Sequence, residues 1–166
     1  MSTMDISRIV LLLIISLVCF MRRKFEIGGW LLFYFISVVL SAFMWLALTI
    51  PALQLFNPSC WSDSGRYLLF IVTAVPNDLL LIGQFIVSMM LILKRFRDWK
   101  YVNYLRIILL SQIVFSLILL PLDISLSPQS IPLDLIAMIA PVVWLLYFSL
   151  SKRIRSVYKD KDWVSK

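Results

Sequence analysis

Histidine is absent from the 166-residue sequence, and cysteine occurs only at Cys19 and Cys60. The common zinc sites need several histidine or cysteine ligands, and triad-type hydrolases need a histidine base. The sequence therefore argues against these sites, and we expect a chain that is not an enzyme and holds no metal or cofactor. Because the two cysteines fall on opposite sides of the topology proposed below, we expect no disulfide between them.

Charged residues are also scarce. Only 15% of the residues are charged and 61% are hydrophobic, with a mean hydropathy of +0.94, whereas soluble domains carry about 25% charged residues. A water-soluble fold of this length cannot bury so much apolar surface, because a small domain keeps many atoms at its boundary. Inside lipid each segment must satisfy its own backbone hydrogen bonds, which favours helices. The predicted fold class is all-α, a polytopic membrane helix bundle.

Four runs of mostly apolar residues approach or exceed the length of about 20 residues that a membrane helix needs. They are residues 30–50, 67–93, 107–122 and 135–151. A shorter hydrophobic helix at residues 9–21 precedes them, and its length fits a fifth span or a helix at the membrane interface. A cleaved signal peptide is disfavoured because no small-residue cleavage site follows it. The chain divides into an N-terminal hydrophobic helix with a basic connector (1–26), a four-helix transmembrane core (27–151) and a basic cytoplasmic tail (152–166).

The distribution of positive charge predicts the orientation. All but two of the 16 lysine and arginine residues, Arg8 and Arg66, fall on one side if the spans alternate. Because basic loops stay in the cytoplasm, we expect the C-terminus to be cytoplasmic and the loop that holds Cys60 to be external. The net charge of +7 thus indicates orientation, and we expect no nucleic-acid partner. The expected partners are the lipid bilayer and anionic headgroups at the basic loops, although the tail at 152–166 could instead dock onto a protein.

Two short motifs are more specific than hydropathy. The first is Ile27-Gly28-Gly29-Trp30-Leu31-Leu32. The second is the aromatic run Trp144-Leu145-Leu146-Tyr147-Phe148, followed by Ser151-Lys152-Arg153. Together with the basic and aromatic connector at residues 94–104, they resemble the small bacterial inner-membrane proteins of the domain-of-unknown-function family 2569, over about residues 27–158. The resemblance implies four membrane helices in the bacterial inner membrane and no particular activity, and the family core lacks the segment before Ile27.

Asp78 is the one ionisable side chain deep in a predicted span, and Pro76 and Asn77 precede it. A charge near the bilayer centre costs about 2.5–3.5 kcal/mol on insertion scales. We therefore expect Asp78 to be protonated, paired or turned toward the inside of the bundle. Pro76 removes a helical N–H and frees the carbonyl of Val72, which predicts a kink in this helix.

Neutral polar residues form a stripe along the same helix. Asn77 and Gln84 share one face, and Asp78 stands about 100° away from it on an ideal helix. Turned inward, the stripe could meet polar residues of two other spans: Gln112, Ser116, Ser37 and Ser41. Two interpretations stay open, namely interhelical hydrogen bonds worth about 0.6 kcal/mol each, or the lining of a small polar cavity for a solute, an ion or a proton.

Three functions are compatible with these patterns. The leading hypothesis is a non-enzymatic accessory or scaffold subunit that acts by association in the membrane, with a membrane-protein partner or as a homo-oligomer. The alternative is a small transporter or channel with Asp78 lining a polar intramembrane cavity. An enzyme acting on lipid is least favoured, because Asp123 and Asp134 share one side without a histidine or a metal-site spacing.

Overall fold

The computed structural model describes residues 14–22, 27, 29–93, 98–126 and 131–160, and the regular structure in these ranges is helical. Helix α1 comprises residues 14–21. The helices that follow are α2 Trp30–Ala52, α3 Ser64–Ile92, α4 Trp99–Leu126, α5 Ile131–Leu150 and α6 Lys152–Arg155. Two 3₁₀ turns, Leu53–Phe56 and Pro58–Cys60, connect α2 to α3, and a π-helical turn, Ser156–Asp160, follows α6.

Three of the described helical segments are long and apolar enough to cross a membrane: Trp30–Phe56, Ser64–Ile92 and Trp99–Pro121. A shorter apolar helical segment, Met138–Leu150, accompanies them. The all-α class predicted from the sequence is therefore confirmed, with apolar helices of the kind found in multi-pass membrane proteins. Residues 9–13 lie outside the described residues, so the choice between four and five spans stays a prediction.

Each of the four helices extends beyond its predicted bounds at one end or both. α2 continues through Pro51 to Ala52, because a proline in the last turn removes only one helical hydrogen bond. α4 begins at Trp99, well before residue 107, where hydropathy places the start of the span. Arg106 fits inside this helix because its guanidinium lies over the Trp99 ring, 4.6 Å from the centroid, and donates to the Phe148 carbonyl.

The helices pack in chain order, with α3 between α2 and α4, and α4 between α3 and α5. Successive helices run in opposite directions, so the start of α2, the end of α3, the start of α4 and the end of α5 meet at one end of the bundle. We call this the basic end, since the described lysine and arginine residues other than Arg66 lie there. The buried core lies at the same end and comprises Leu31, Tyr34, Phe35, Val38, Leu91, Val102, Leu105, Leu109, Phe148, Ile154, Val157 and Tyr158.

The C-terminal segment closes the basic end. Ile154 and Tyr158 are fully buried in the core, and the Tyr158 hydroxyl donates to the Leu91 carbonyl near the end of α3 at 3.2 Å. Lys152 and Lys159 are exposed on the same segment. The basic tail predicted at residues 152–166 is thus, as far as Asp160, an amphipathic segment packed onto the bundle, and residues 161–166 lie outside the described residues.

The chain enters α2 through a glycine with unusual backbone angles. Gly29 has φ 60° and ψ −134°, a region that residues with a Cβ rarely adopt. Its N–H donates to the Cys19 carbonyl at 3.0 Å, which joins α1 to the start of α2. Gly28 lies outside the described residues.

α3 carries the residues predicted to be functional. It spans 29 residues and passes through Pro76 without interruption, and the kink predicted there stays a prediction. Asp63 caps its first turn by accepting a hydrogen bond from the Gly65 N–H at 2.8 Å. The other terminus of α3 lies at the basic end. Asp78 falls near the middle of the helix, which runs from Ser64 to Ile92.

Candidate functional site

A cavity of about 920 Å³ lies between α2, α3, α4 and α5. It is lined by residues from the middle of these helices, within 37–46, 77–89, 112–116 and 140–144. The tightly packed core at the basic end therefore separates the cavity from that end of the bundle.

Six polar side chains line the cavity among walls that are otherwise apolar or aromatic: Ser37, Ser41, Asn77, Gln84, Gln112 and Ser116. None of the described lining residues carries a charge. The serines, asparagine and glutamines that the sequence marks on three separate spans thus come together in one place. The cavity offers hydroxyl and amide groups, which donate and accept hydrogen bonds without a net charge.

A chain of hydrogen bonds crosses the bundle beside the cavity. The side-chain amide of Gln112 on α4 donates to Oε1 of Gln84 on α3 at 2.9 Å. The Gln84 amide nitrogen donates to the Tyr34 hydroxyl on α2 at 3.4 Å, and that hydroxyl lies 2.8 Å from Oγ of the buried Ser88. Three helices are therefore joined by neutral polar groups, as the interhelical interpretation requires.

Tyr34 also connects this series of hydrogen bonds to helix α5. Its ring is fully buried and packs edge-on against Trp144 and Phe148 of α5, with centroids 4.9 and 4.8 Å away. Such T-shaped pairs add stability beyond the apolar area they bury. Tyr34 thus contacts both α3 and α5, and its hydroxyl has the hydrogen-bond partners that a buried phenol needs.

Asp78 lies beside the cavity and not in its wall. Its Oδ1 accepts a hydrogen bond of 2.7 Å from the indole nitrogen of Trp45 on α2, and the Trp45 side chain lines the cavity. Asp78 is not among the described lining residues, and a role for it in a polar cavity stays a prediction. The offset of about 100° from the Asn77 and Gln84 face explains the result, because it turns the carboxyl toward α2.

The part of α2 that follows Val39, residues 40–51, is attached to the bundle by one narrow face. We call it the distal half of α2. Ala42, Trp45 and Thr49 are half-buried, and its other residues are exposed. Phe43 and Leu48, for example, are 66% and 69% exposed. The contact between Trp45 and Asp78 therefore lies on the face that holds the distal half of α2 in place.

Two other polar side chains of the spans, Thr73 on α3 and Ser37 on α2, form hydrogen bonds within their own helices. Thr73 donates to the carbonyls of Leu69 and Phe70 in its own helix, at 2.9 and 3.1 Å. Ser37 donates to the Tyr34 carbonyl at 2.7 Å, again within one helix. Asn77 is exposed at the rim of the cavity. Gln84 and Gln112 are thus the residues that reach between helices inside the cavity.

The two motif regions meet at the basic end, away from the cavity's polar groups. Trp30 is 65% exposed, and its ring lies edge-on to that of Trp144 at 6.4 Å. Ser151 adopts extended angles, φ −68° and ψ 122°, which end α5 and start α6. Lys152 and Arg153 open α6, whose buried residue is Ile154. The motif around Ser151 therefore turns the chain so that the C-terminal segment folds back onto the bundle.

The break at Ser151 also explains an unexpected contact. A helix leaves its last carbonyls without intrahelical partners, and the Phe148 carbonyl near the end of α5 accepts from Arg106, with Nε at 3.2 Å. The Leu91 carbonyl near the end of α3 accepts from Tyr158 in the same way. Side chains from other helices thus cap both helix ends.

Hydropathy gave no indication that Tyr34 and Trp45 would be central. Both are aromatic residues with a polar atom inside an apolar span, and such atoms usually find a partner when they are buried. This rule is the feature of the sequence that could have identified Tyr34 and Trp45. Neither partner, Ser88 or Asp78, could be assigned without knowing which helix faces meet.

Metal binding finds no support in the described part of the chain, where no group of three or more histidine, cysteine, aspartate or glutamate residues lies close enough to hold an ion. The cavity's amides and hydroxyls are likewise poor ligands for transition metals, which prefer imidazole and thiolate.

Comparison with known proteins identifies a family. The sequence model of the family described as "Protein of unknown function (DUF2569)" matches residues 24–159. No curated protein and no solved structure matches the chain. The match includes α2 to α6, the cavity and both motifs, and it confirms the resemblance inferred from the motifs.

Proposed function

The chain belongs to the DUF2569 family, and from its geometry we propose a non-enzymatic, multi-pass protein of the bacterial inner membrane that binds a small molecule in its central cavity. In this it would resemble a small transporter or channel. The observation that carries the proposal is the cavity of about 920 Å³ with polar side chains from α2, α3 and α4 at mid-depth. Ligand sites are commonly cavities of about 300–1,000 Å³ with apolar walls and a few convergent polar groups.

The binding groups in this proposal are Gln84 and Gln112. They face each other across α3 and α4, and their amides lie at the cavity wall. Asp78 is not a binding group in this proposal, because its Oδ1 already accepts a hydrogen bond from Trp45. Asp78 instead positions the distal half of α2, which forms one wall of the cavity.

The orientation that we propose places the basic end and the C-terminus in the cytoplasm. Exposed basic side chains at this end are available to anionic lipid headgroups: Lys100, Lys152, Arg155 and Lys159. In this orientation the packed core and the C-terminal segment separate the cavity from the cytoplasm.

Cysteine accessibility tests the proposal. In a Cys19→Ala, Cys60→Ala background, Ser116→Cys places a thiol in the cavity, and Val114→Cys places one on the exposed outer face of the same helix. We expect the small, water-soluble and uncharged reagent methyl methanethiosulfonate to modify Ser116→Cys. The lipid-facing Val114→Cys should stay unmodified. Protection of both thiols would reject a transporter or channel.

A second candidate is an accessory or scaffold subunit acting by association, and the exposed distal half of α2 favours it. A photoreactive amino acid at Met44 or Leu48, which are exposed and do not line the cavity, would capture a stable partner. The same substitution at Ile107, which is 60% exposed on α4, serves as the control. A single crosslinked protein that co-purifies in mild detergent supports association, and a crosslink between copies of the chain indicates a homo-oligomer. Crosslinks to lipid alone argue against both.

A further inference from the structure

The chemistry of the cavity wall restricts what it can bind. The described lining residues carry no charge, and one oxygen of the neighbouring Asp78 is occupied by Trp45. A charged ligand at this depth would lack the opposite charge that buried ions require. The wall therefore favours an uncharged ligand.

The polar groups have unused hydrogen-bonding capacity. Gln112 uses its amide nitrogen to donate to Gln84, and its own carbonyl oxygen accepts no hydrogen bond from the residues that the structure describes. Among the described residues, the second N–H of each glutamine amide has no acceptor either. A ligand with one hydroxyl or carbonyl group could therefore bind here without breaking the chain of hydrogen bonds.

The geometry of the walls indicates a sideways entrance. The described ring contacts between α2 and α5 lie at the basic end, where Trp30, Phe33 and Tyr34 meet residues 144–148. Further along, the backbones of the two helices are at most in marginal contact. The cavity-lining residues Ser41 and Ala140, one from each helix, are exposed there.

We infer that the cavity binds an uncharged amphiphile, an apolar chain with one hydroxyl or carbonyl group, that enters from the bilayer between the distal half of α2 and helix α5. This inference rests on the proposed function and names its ligand class and route. The ligand's polar group lies at Gln84 and Gln112. Its chain lies along the apolar walls toward the lipid.

Photolabelling of the full chain in lipid nanodiscs tests this inference. The probe is hexadecanol with a diazirine in its chain, and two matched probes carry the same chain as the plain alkane and as the trimethylammonium derivative. We expect the alcohol to label peptides covering residues 37–46 and 140–144 at least about threefold more than the alkane, as one neutral hydrogen bond implies. Unlabelled hexadecanol should compete for the site.

Variants identify the polar groups. Gln84→Leu and Gln112→Leu should each reduce labelling by the alcohol to the level of the alkane, and Gln54→Leu, an exposed glutamine outside the cavity, should not. If the cavity variants do not fold, competition in the unmodified protein still decides the question. Equal labelling by alcohol and alkane, preference for the ammonium probe, labelling that does not compete, or full labelling of folded glutamine variants would each overturn the inference. If Ser116→Cys reacts with the water-soluble reagent and the alcohol is not captured, the ligand class is wrong and the proposed function stands.

Discussion

The indole nitrogen of Trp45 lies 2.7 Å from Oδ1 of Asp78, to which it donates a hydrogen bond between α2 and α3. This contact gives the one acidic residue of the α3 span a partner inside the bundle. It also lies on the narrow face that holds the distal half of α2, since Ala42, Trp45 and Thr49 are the half-buried residues there. The Asp78 carboxyl therefore stabilises the contact between α2 and α3 by supplying an acceptor oxygen.

Substitutions at Asp78 should separate the acceptor from the charge. Asp78→Asn keeps an oxygen in the same place, so we expect a change of less than about 0.5 kcal/mol in unfolding free energy. Asp78→Leu removes the acceptor and leaves the Trp45 N–H unpaired, which should cost about 1 kcal/mol, within the range measured for membrane hydrogen bonds. Reversible unfolding in mixed micelles provides the measurement.

Trp45→Phe serves as the control for this pair because it removes the donor and keeps most of the ring. In a double-mutant cycle with Asp78→Leu, the second substitution should cost little once the first is present. Fully additive losses would show that the two side chains do not interact. If Asp78→Asn abolished a transport activity in a stable protein, the carboxyl would have a role in ion or proton handling as well.

The chain of hydrogen bonds from Gln112 to Tyr34 predicts a second coupling. Gln112→Leu leaves Oε1 of Gln84 without its donor, and Gln84→Leu breaks the links to both Gln112 and Tyr34. We expect each to destabilise the protein by about 0.6–1.7 kcal/mol, and the double variant to lose less than the sum. The same unfolding assay measures these losses, with Gln54→Leu expected to be neutral. Additive losses would contradict the direct contact.

These contacts show which properties the sequence could predict. Hydropathy alone predicted the positions of four helices, and the structure has a helix at each of them. This works because insertion in lipid depends mainly on the composition of each segment. The polar residues Ser37, Gln84, Gln112 and Ser116 could be proposed as neighbours because each is an unusual residue in an apolar run. Their convergence on one cavity follows from the inward-facing stripe.

The partners of Asp78 and Tyr34 could not be predicted in the same way. A rotation of one residue, about 100°, decides whether a side chain lines the cavity or meets a neighbouring helix. Helix pairing also depends on how aromatic residues such as Trp144 pack. The composition of a helix does not specify which residues they contact. The packing of residues 152–160 under the bundle was missed because a basic segment next to a membrane is usually assigned to the headgroups.

The backbone at Gly29 predicts a contrast between two glycines. At φ 60° and ψ −134°, Gly29→Ala should be destabilising by about 1–3 kcal/mol. Gly83 is helical, and an added Cβ would lie 3.6 Å from Cδ1 of Ile108, an ordinary contact. Gly83→Ala should therefore be neutral or stabilising by up to about 1 kcal/mol. Thermal unfolding of the two variants in the same detergent checks the contrast, and equal effects would contradict it.

The proposed orientation predicts different reactivity for the two cysteines. Cys60 is exposed in the turn between α2 and α3, whereas Cys19 is 4% exposed beside Gly29. A membrane-impermeant maleimide should label Cys60 rapidly in intact spheroplasts and should label Cys19 slowly even after lysis. Cys19→Ala provides the single-cysteine background for the first measurement. Labelling of Cys60 only after lysis would reverse the orientation.

The C-terminal segment provides the last prediction, because two kinds of contact hold it. The Tyr158 hydroxyl caps α3 through the Leu91 carbonyl, and the ring fills a fully buried position in the core. Tyr158→Phe removes only the hydrogen bond and should cost about 0.5–1.5 kcal/mol. Tyr158→Ala also removes the buried ring and should cost about 3–5 kcal/mol.

Lys159→Ala is the matched control, since Lys159 is the exposed next residue and its substitution changes charge without changing the core. We expect its unfolding free energy to stay within about 0.5 kcal/mol of the unmodified protein. If the segment only lay on lipid headgroups, the Lys159 substitution would have the larger effect and the Tyr158 substitution the smaller one. Lys159→Ala would then weaken binding to vesicles containing anionic lipid, and Tyr158→Ala would leave the unfolding free energy unchanged. Measuring unfolding and vesicle binding on the same three variants therefore decides whether residues 152–160 belong to the folded core or to the membrane surface.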